Sequence, residues 1–126
     1  MRGFRRVTSS VNLDGDEAAR RRQRDRVEIA KLRGYCLNPQ HPRGRHKARV
    51  FAATLGLAQT DAEFLREALL RAAREADALV GVSDEYGDRF TVDFELNRGN
   101  RRAVVRSAWI VLRDETAPRL TSCFVL

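Results

Sequence analysis

Residues 90–112 read Phe-Thr-Val-Asp-Phe-Glu-Leu-Asn-Arg-Gly-Asn-Arg-Arg-Ala-Val-Val-Arg-Ser-Ala-Trp-Ile-Val-Leu. Phe90, Val92, Phe94 and Leu96 alternate with Thr91, Asp93 and Glu95, the period-two pattern of a strand with one buried face. Arg98-Gly99-Asn100 is a tight turn, and Arg102–Leu112 reads as a second, longer strand. So short a turn joins antiparallel neighbours, because a parallel pair needs a long crossover. Working outward, residues 78–83 form a short apolar run before this hairpin. Leu120–Leu126 reads as a last strand after the loop Asp114–Pro118. Successive strands with short connections give an antiparallel meander of about four strands. Within Arg102–Leu112, Val104, Ala108, Ile110 and Leu112 make the more apolar row, with Arg106 as an outlier. Val105, Ser107, Trp109 and Val111 point the other way. On the last strand, Leu120 and Phe124 fall on the Ser122 side.

Upstream, the period becomes helical. Thr60 and Glu63 have the spacing of a capping box, and Phe64, Leu65, Ala68, Leu69, Ala72 and Ala76 follow at helical intervals. A shorter helix is expected from about Gly44 to Leu55, with Ala48, Phe51, Ala52 and Leu55 as its core face and Gly56 as its stop. Residues 27–37 suit a short turn or helix, because Gly34 and Asn38-Pro39 oppose a long one. The loop Asn38–Gly44 holds two prolines and a glycine, so its shape is set locally. Helices followed by strands give an α+β fold, with N-terminal helices packed on one face of a roughly four-stranded antiparallel sheet.

The chain has 126 residues, enough for one core. Residues 1–27 are an arginine-rich leader, in which Asp16 could cap a helix through Arg20, Arg21, Arg22, Arg24 and Arg26; residues 28–126 form the single domain. No apolar run is long enough to span a bilayer and no apolar stretch follows the basic start, so no membrane partner is expected and the cytoplasm is the default location. Cys36 and Cys123 are too few for a disulfide framework or a zinc site and read as buried thiols. The net charge of +7 attracts polyanions, RNA above all. A solvated arginine face explains it equally well.

Both histidines, His41 and His46, fall within residues 38–51, together with Lys47. Lys47 and Lys31 are the only lysines among 24 basic residues. Histidine suits proton transfer near neutral pH, and a lysine ammonium suits a phosphate. His46 and Lys47 lie in the first turn of the expected helix, where backbone N–H groups favour an anion. On the strand Arg102–Leu112, Ser107 and Trp109 share a face. Trp109 is either a core filler or a platform for a stacked base, with Ser107 bonding a phosphate beside it. These are the parts of a metal-independent ribonuclease: one group takes the proton of the ribose 2′-hydroxyl, another protonates the leaving 5′-oxygen, and cations stabilise the charged transition state. The product is a 2′,3′-cyclic phosphate. No cofactor is implied, and His41 and His46 lack a carboxylate to complete a metal set.

The run Lys31-Leu32-x-x-Tyr35-x-Leu37-Asn38-Pro39-x-His41-Pro42-x-Gly44-x-His46-Lys47-Ala48-Arg49-Val50-Phe51 resembles an uncharacterised family of small bacterial domains. Its signature is Lys-Leu-x-x-Tyr-Leu-Leu-Asn-Pro-x-His-Pro-x-Gly-x-x-Lys-Ala-x-x-Phe. Trp109 and Pro118-Arg119-Leu120-x-Ser122 resemble that family's ending, where threonine commonly replaces the serines. The resemblance spans about residues 27–126 and leaves out the leader. That family is similar in turn to the toxin ribonucleases that include barnase, RelE and colicin D. The resemblance implies helices followed by a four-stranded antiparallel sheet, RNA cleavage, and a cognate antitoxin or immunity protein. Colicin D is closest in kind: it cleaves a tRNA anticodon loop with a histidine and lysines from a helix and a Ser-x-Trp on a strand. By this resemblance His46, Lys47, Ser107 and Trp109 take those places. In the nearer family the residue before the lysine varies, which brings His41 forward.

The expectation is a toxin-type endoribonuclease acting on RNA, tRNA included. Lys47 is its cation, His46 or His41 its acid or base, Ser107 and Ser122 its hydrogen-bond donors and Trp109 its base stack. Arg119, Arg45, Arg49 and Arg106 are the candidate RNA contacts. The alternative is a non-catalytic RNA-binding or protein-interaction module in which the His-Pro loop is structural. A homo-oligomer is compatible with either.

Overall fold

In the computed structural model, which describes residues 26–126, the quoted stretch forms one long hairpin. Strand β2 (Gly87–Arg98) pairs with β3 (Arg101–Leu112) residue for residue, from Gly87 opposite Leu112 to Arg98 opposite Arg101. Gly99 takes the first central turn position with φ 61°, which costs glycine nothing and suits a two-residue hairpin. Strand β1 (Leu79–Ser83) flanks β2, and β4 (Arg119–Val125) flanks β3. The sheet order is β1-β2-β3-β4, all antiparallel, which is the expected meander.

The helices come first. α1 (Ile29–Lys31) runs directly into a π-turn, Leu32–Cys36. α2 (Arg45–Leu55) ends on Gly56 at φ 67°, the left-handed stop that glycine favours. A 3-10 turn (Gln59–Asp61) leads into α3 (Ala62–Glu75). The Thr60–Glu63 capping box does not form. Instead Asp61 Oδ2 accepts the Ala58 N–H at 2.8 Å, and Glu63 pairs with Arg66 at 2.7 Å. The Asp61 side chain thus closes the 3-10 turn before α3 rather than capping the helix itself. The helix expected from Asp16 through the arginine cluster lies outside the described residues.

The buried row of β3 is Val105, Ser107 and Trp109; of the row of Val104, Ala108, Ile110 and Leu112 only Ile110 is buried. Register explains the reversal. Val105, Ser107 and Trp109 stand opposite Phe94, Val92 and Phe90 on β2, whereas Arg106 stands opposite Asp93. The Arg106 guanidinium forms two hydrogen bonds of 2.8 Å with the Asp93 carboxylate across the strands. Burying such a pair would cost several kcal/mol, while a buried Val or Trp gains roughly 2 kcal/mol. That row therefore faces outward, and the helices cover the other. The core joins Trp109, Val105 and Val92 to Phe51, Leu55, Leu65, Leu69 and Leu32.

A β-bulge alters the last strand. Ala108 pairs with Ser122, but Trp109 pairs with Leu120, so Thr121 is an extra residue on β4. The bulge turns Leu120 inward, where it is buried beside Trp109, and leaves Ser122 and Phe124 on the row of Ala108 and Arg106. Leu120 and Ser122, expected on one face, are thus on opposite ones. Val27 is fully buried and the Leu120 N–H donates to the Arg26 carbonyl at 2.9 Å, so the packed body already includes these two residues.

Candidate functional site

The loop from Asn38 to Gly44 is held by its own side chains. Asn38 Oδ1 accepts the Gln40 N–H at 2.9 Å, and its amide donates to the Gly34 carbonyl at 3.1 Å. His41 Nδ1 accepts the N–H groups of Arg43 and Gly44, both at 3.0 Å. An imidazole nitrogen that accepts carries no proton, so the ring bears its proton on Nε2. His41 therefore fixes the turn that leads into α2, satisfying the amides of the two residues before the helix. Gly44 lies against the π-turn so closely that a methyl group built on it would collide with the Tyr35 carbonyl oxygen. The Pro-x-Gly spacing thus presses α2 onto the segment that carries Tyr35.

That contact brings together residues far apart in sequence. The Tyr35 and His41 rings meet edge to face, 4.7 Å between centroids. The Lys47 ammonium lies 5.9 Å from the centre of the Tyr35 ring and 4.9 Å from that of Phe124 on β4, within reach of a cation–π interaction with both. Lys31 donates to the carbonyl of the bulge residue Thr121 at 3.4 Å. The two lysines of the chain therefore converge on the edge of β4, at the bulge. Beneath them lie the buried thiols Cys36 and Cys123. Hydrogen bonding to Cys123 pulls the Cys36 thiol below its ordinary pKa, with the charges of Lys31 and Lys47 acting in the same sense. The same hydrogen bond and deep burial push Cys123 up.

The expected site residues divide into three groups. Lys47, His41, His46, Arg45 and Arg49 belong to the loop and α2; His46, Arg45 and Arg49 are exposed. Ser107 and Trp109 require a correction. Both are buried in the core, at 0% and 1% exposure. The Trp109 Nε1–H donates to Ser107 Oγ at 2.8 Å, and Ser107 Oγ donates to the Val92 carbonyl at 2.7 Å. Trp109 offers no face to a base, and Ser107 has no proton left for a phosphate. They support the floor of the site from below. Arg106 and Arg119 require a correction as well: each is tied by two hydrogen bonds to a carboxylate, Arg106 to Asp93 and Arg119 to Glu115 at 2.8 and 2.7 Å. Ser122 lies on the outer row, with a buried Oγ that has no hydrogen-bond partner among the described residues.

Residues 20–126 match the model of a family described as Domain of unknown function (DUF6883). The chain belongs to that family. No curated protein and no solved structure matches it.

In this DUF6883 domain the sequence also holds a signal that composition by halves conceals. Between Glu28 and Asp61 there is no acidic residue at all, but there are six cations: Lys31, Arg33, Arg43, Arg45, Lys47 and Arg49. None of the six forms an ion pair among the described residues, whereas Arg89, Arg98, Arg106 and Arg119 of the sheet, and Arg113 just beyond β3, each do. Tyr35, Phe124 and Lys31, absent from the expected site, surround Lys47. Among the described residues no three His, Cys, Asp or Glu side chains group as a metal site would need, and no helix is long and apolar enough to cross a membrane.

Proposed function

We propose that this domain is a metal-independent endoribonuclease of toxin type, acting on RNA in the cytoplasm and held in check by a cognate antitoxin. The observation that carries the reading is the convergence of Lys31 and Lys47 on the β4 edge, within an acid-free cationic segment that leaves both ammonium groups unpaired among the described residues. A ribose phosphate set there would meet the Lys47 ammonium as its charge grows in the transition state. His46, exposed one residue away, or the Nε2 side of His41 would exchange protons with the 2′-hydroxyl and the 5′-oxygen. Arg45 and Arg49 would track the flanking phosphates.

A second reading has its own support. His41 is occupied in holding the turn before α2, and Ser107 and Trp109 are buried, so the module that binds RNA without cleaving it needs no further residue. Incubating the purified protein and its Lys47→Ala variant with total tRNA in EDTA separates the two. The ribonuclease gives fragments ending in 2′,3′-cyclic phosphate, and Lys47→Ala lowers the rate at least about 100-fold. Binding that is weakened in the variant, with intact RNA from both proteins, leaves the binding module.

A further inference from the structure

Strand β2 is longer than the strand beside it. β1 pairs with β2 at Asp88, Phe90 and Thr91, and its ladder ends at Leu79 opposite Thr91. From Asp93 to Arg98 the outer edge of β2 has no strand beside it and no backbone hydrogen bond to any other element among the described residues. Such an edge is a template for another strand. Here it is also walled. α3 runs alongside, and a groove of about 490 Å³ lies between them. Phe64, Ala68 and Ala72 of α3 and Phe94 and Leu96 of β2 give it an apolar floor. Glu67 on the helix and Glu95 on the strand give it an acidic rim, with Arg71 beside them. One end is pinned: the Arg98 guanidinium lies 4.8 Å from the centre of the Phe64 ring and bonds Asp61 at 2.8 Å.

We propose that this groove receives an extended peptide segment of a partner protein, which adds to the edge of β2 as a fifth strand. Three features argue for that occupant. The free backbone groups of β2 supply affinity that does not depend on the partner's sequence. The period of a strand sends alternate side chains into the groove, so its apolar floor selects apolar residues at every second position. The carboxylate rim selects lysine or arginine between or beside them, a charge preference opposite to that of the Lys31–Lys47 end. The groove lies two strands away from β4, so it leaves that end open.

The test uses the full chain and a short capped peptide alternating valine and lysine, with its valine–glutamate counterpart as control. Saturable binding of the basic peptide, with new protection of the Glu95 and Asn97 amides from hydrogen exchange, is the expected result; the Phe94 and Leu96 amides already face β3. Reversing the rim with Glu67→Lys and Glu95→Lys should weaken it by about tenfold or more. Lys47→Ala should leave it unchanged, so failure here is separate from failure of the ribonuclease reading. Four results would overturn the proposal. These are no saturable binding, equal binding of the acidic peptide, protection that maps to α2 and β4, or protection already present in the free protein. In that last case, a rise with protein concentration would identify a second copy as the occupant, and independence of concentration the chain's own N-terminal residues.

Discussion

At the scale of single residues, the two histidines divide their duties. His41 spends Nδ1 on the Arg43 and Gly44 amides and rests against Tyr35, so its first task is to shape the loop. His46 is exposed on the first turn of α2 and bonds nothing among the described residues. Their alanine variants should therefore separate stability from chemistry. His41→Ala leaves the Arg43 and Gly44 amides without an acceptor, at a cost of about 1–2 kcal/mol, which in a domain of this size lowers Tm by roughly 5–10 °C. His46→Ala should leave Tm within a degree or so of wild type and, if it is the acid or base, lower the cleavage rate by about 100-fold or more. Thermal melts and single-turnover cleavage on the same preparations decide it. A stable His41→Ala would remove the loop-shaping role, and an active His46→Ala would pass the proton transfer to His41. Lys47 is a different case. Its stem packs over Tyr35 and Phe124, so Lys47→Ala loses about 1 kcal/mol of cation–π contact as well as the charge. The charge-removing comparison that keeps the packing is Lys47→Met.

At the scale of elements, the anchor of α3 is Asp61. One carboxylate oxygen takes the Ala58 N–H and the other takes Arg98 from the end of β2, so a single side chain closes the 3-10 turn that leads into α3 and ties it to the sheet. The Ala58 amide, then Arg98, hold its carboxyl below the usual aspartate range. The bond from Arg106 lowers Asp93, and that from Arg119 lowers Glu115. A carboxylate whose folded pKa is depressed binds fewer protons folded than unfolded. Its contribution is then fully present above the unfolded values of about 4 and is lost as pH falls through the folded ones. Tm should be nearly flat from about pH 5 to 8 and fall below about pH 4. Asp61→Asn should melt lower than wild type at pH 7 by about 1 kcal/mol, a typical net hydrogen bond, with the gap closing below about pH 3. A gap that persists in acid would mean that Asp61 acts by shape rather than charge. Which residue closes the turn before α3 was not legible in the sequence, since Thr60 and Asp61 are adjacent and both cap well. The element types were legible, because period two and period 3.6 are written into residues 90–112 and 60–76. The buried face of β3 was not: Val104 and Val105 read alike, and only the pairing of Arg106 with Asp93 turns one row outward. The fate of Ser107 and Trp109 followed from that face, so the site drawn from them failed with it. The loop and Lys47 were legible because prolines, glycine and rare residues act locally.

At the scale of the whole molecule, the chain separates its charges. Four arginines of the sheet, Arg89, Arg98, Arg106 and Arg119, are neutralised by carboxylates, the α3–β2 groove is rimmed with acid, and the charged residues from Ile29 to Thr60 are all cationic. Net charge by itself does not reveal this, because the acids that balance the body sit on other elements. A polyanion should therefore bind at one end, and its salt dependence should count the cations there. Single-stranded RNA releases about 0.7 counterion per phosphate neutralised. If about four of the six cations engage phosphates, the slope of log K against log salt is about −3, and affinity falls roughly 50-fold between 50 and 200 mM salt. Removing Arg45 and Arg49 together should reduce the slope by about 1.4, since each gives up one phosphate. Removing Arg106, already spent on Asp93, should leave the slope unchanged. Anisotropy titrations with a fluorescent single strand at several salt concentrations measure all three. A slope that responds to Arg106 and not to Arg45 and Arg49 would move the RNA to the outer face of the sheet. It would leave the convergence of Lys31 and Lys47 as packing rather than as a site.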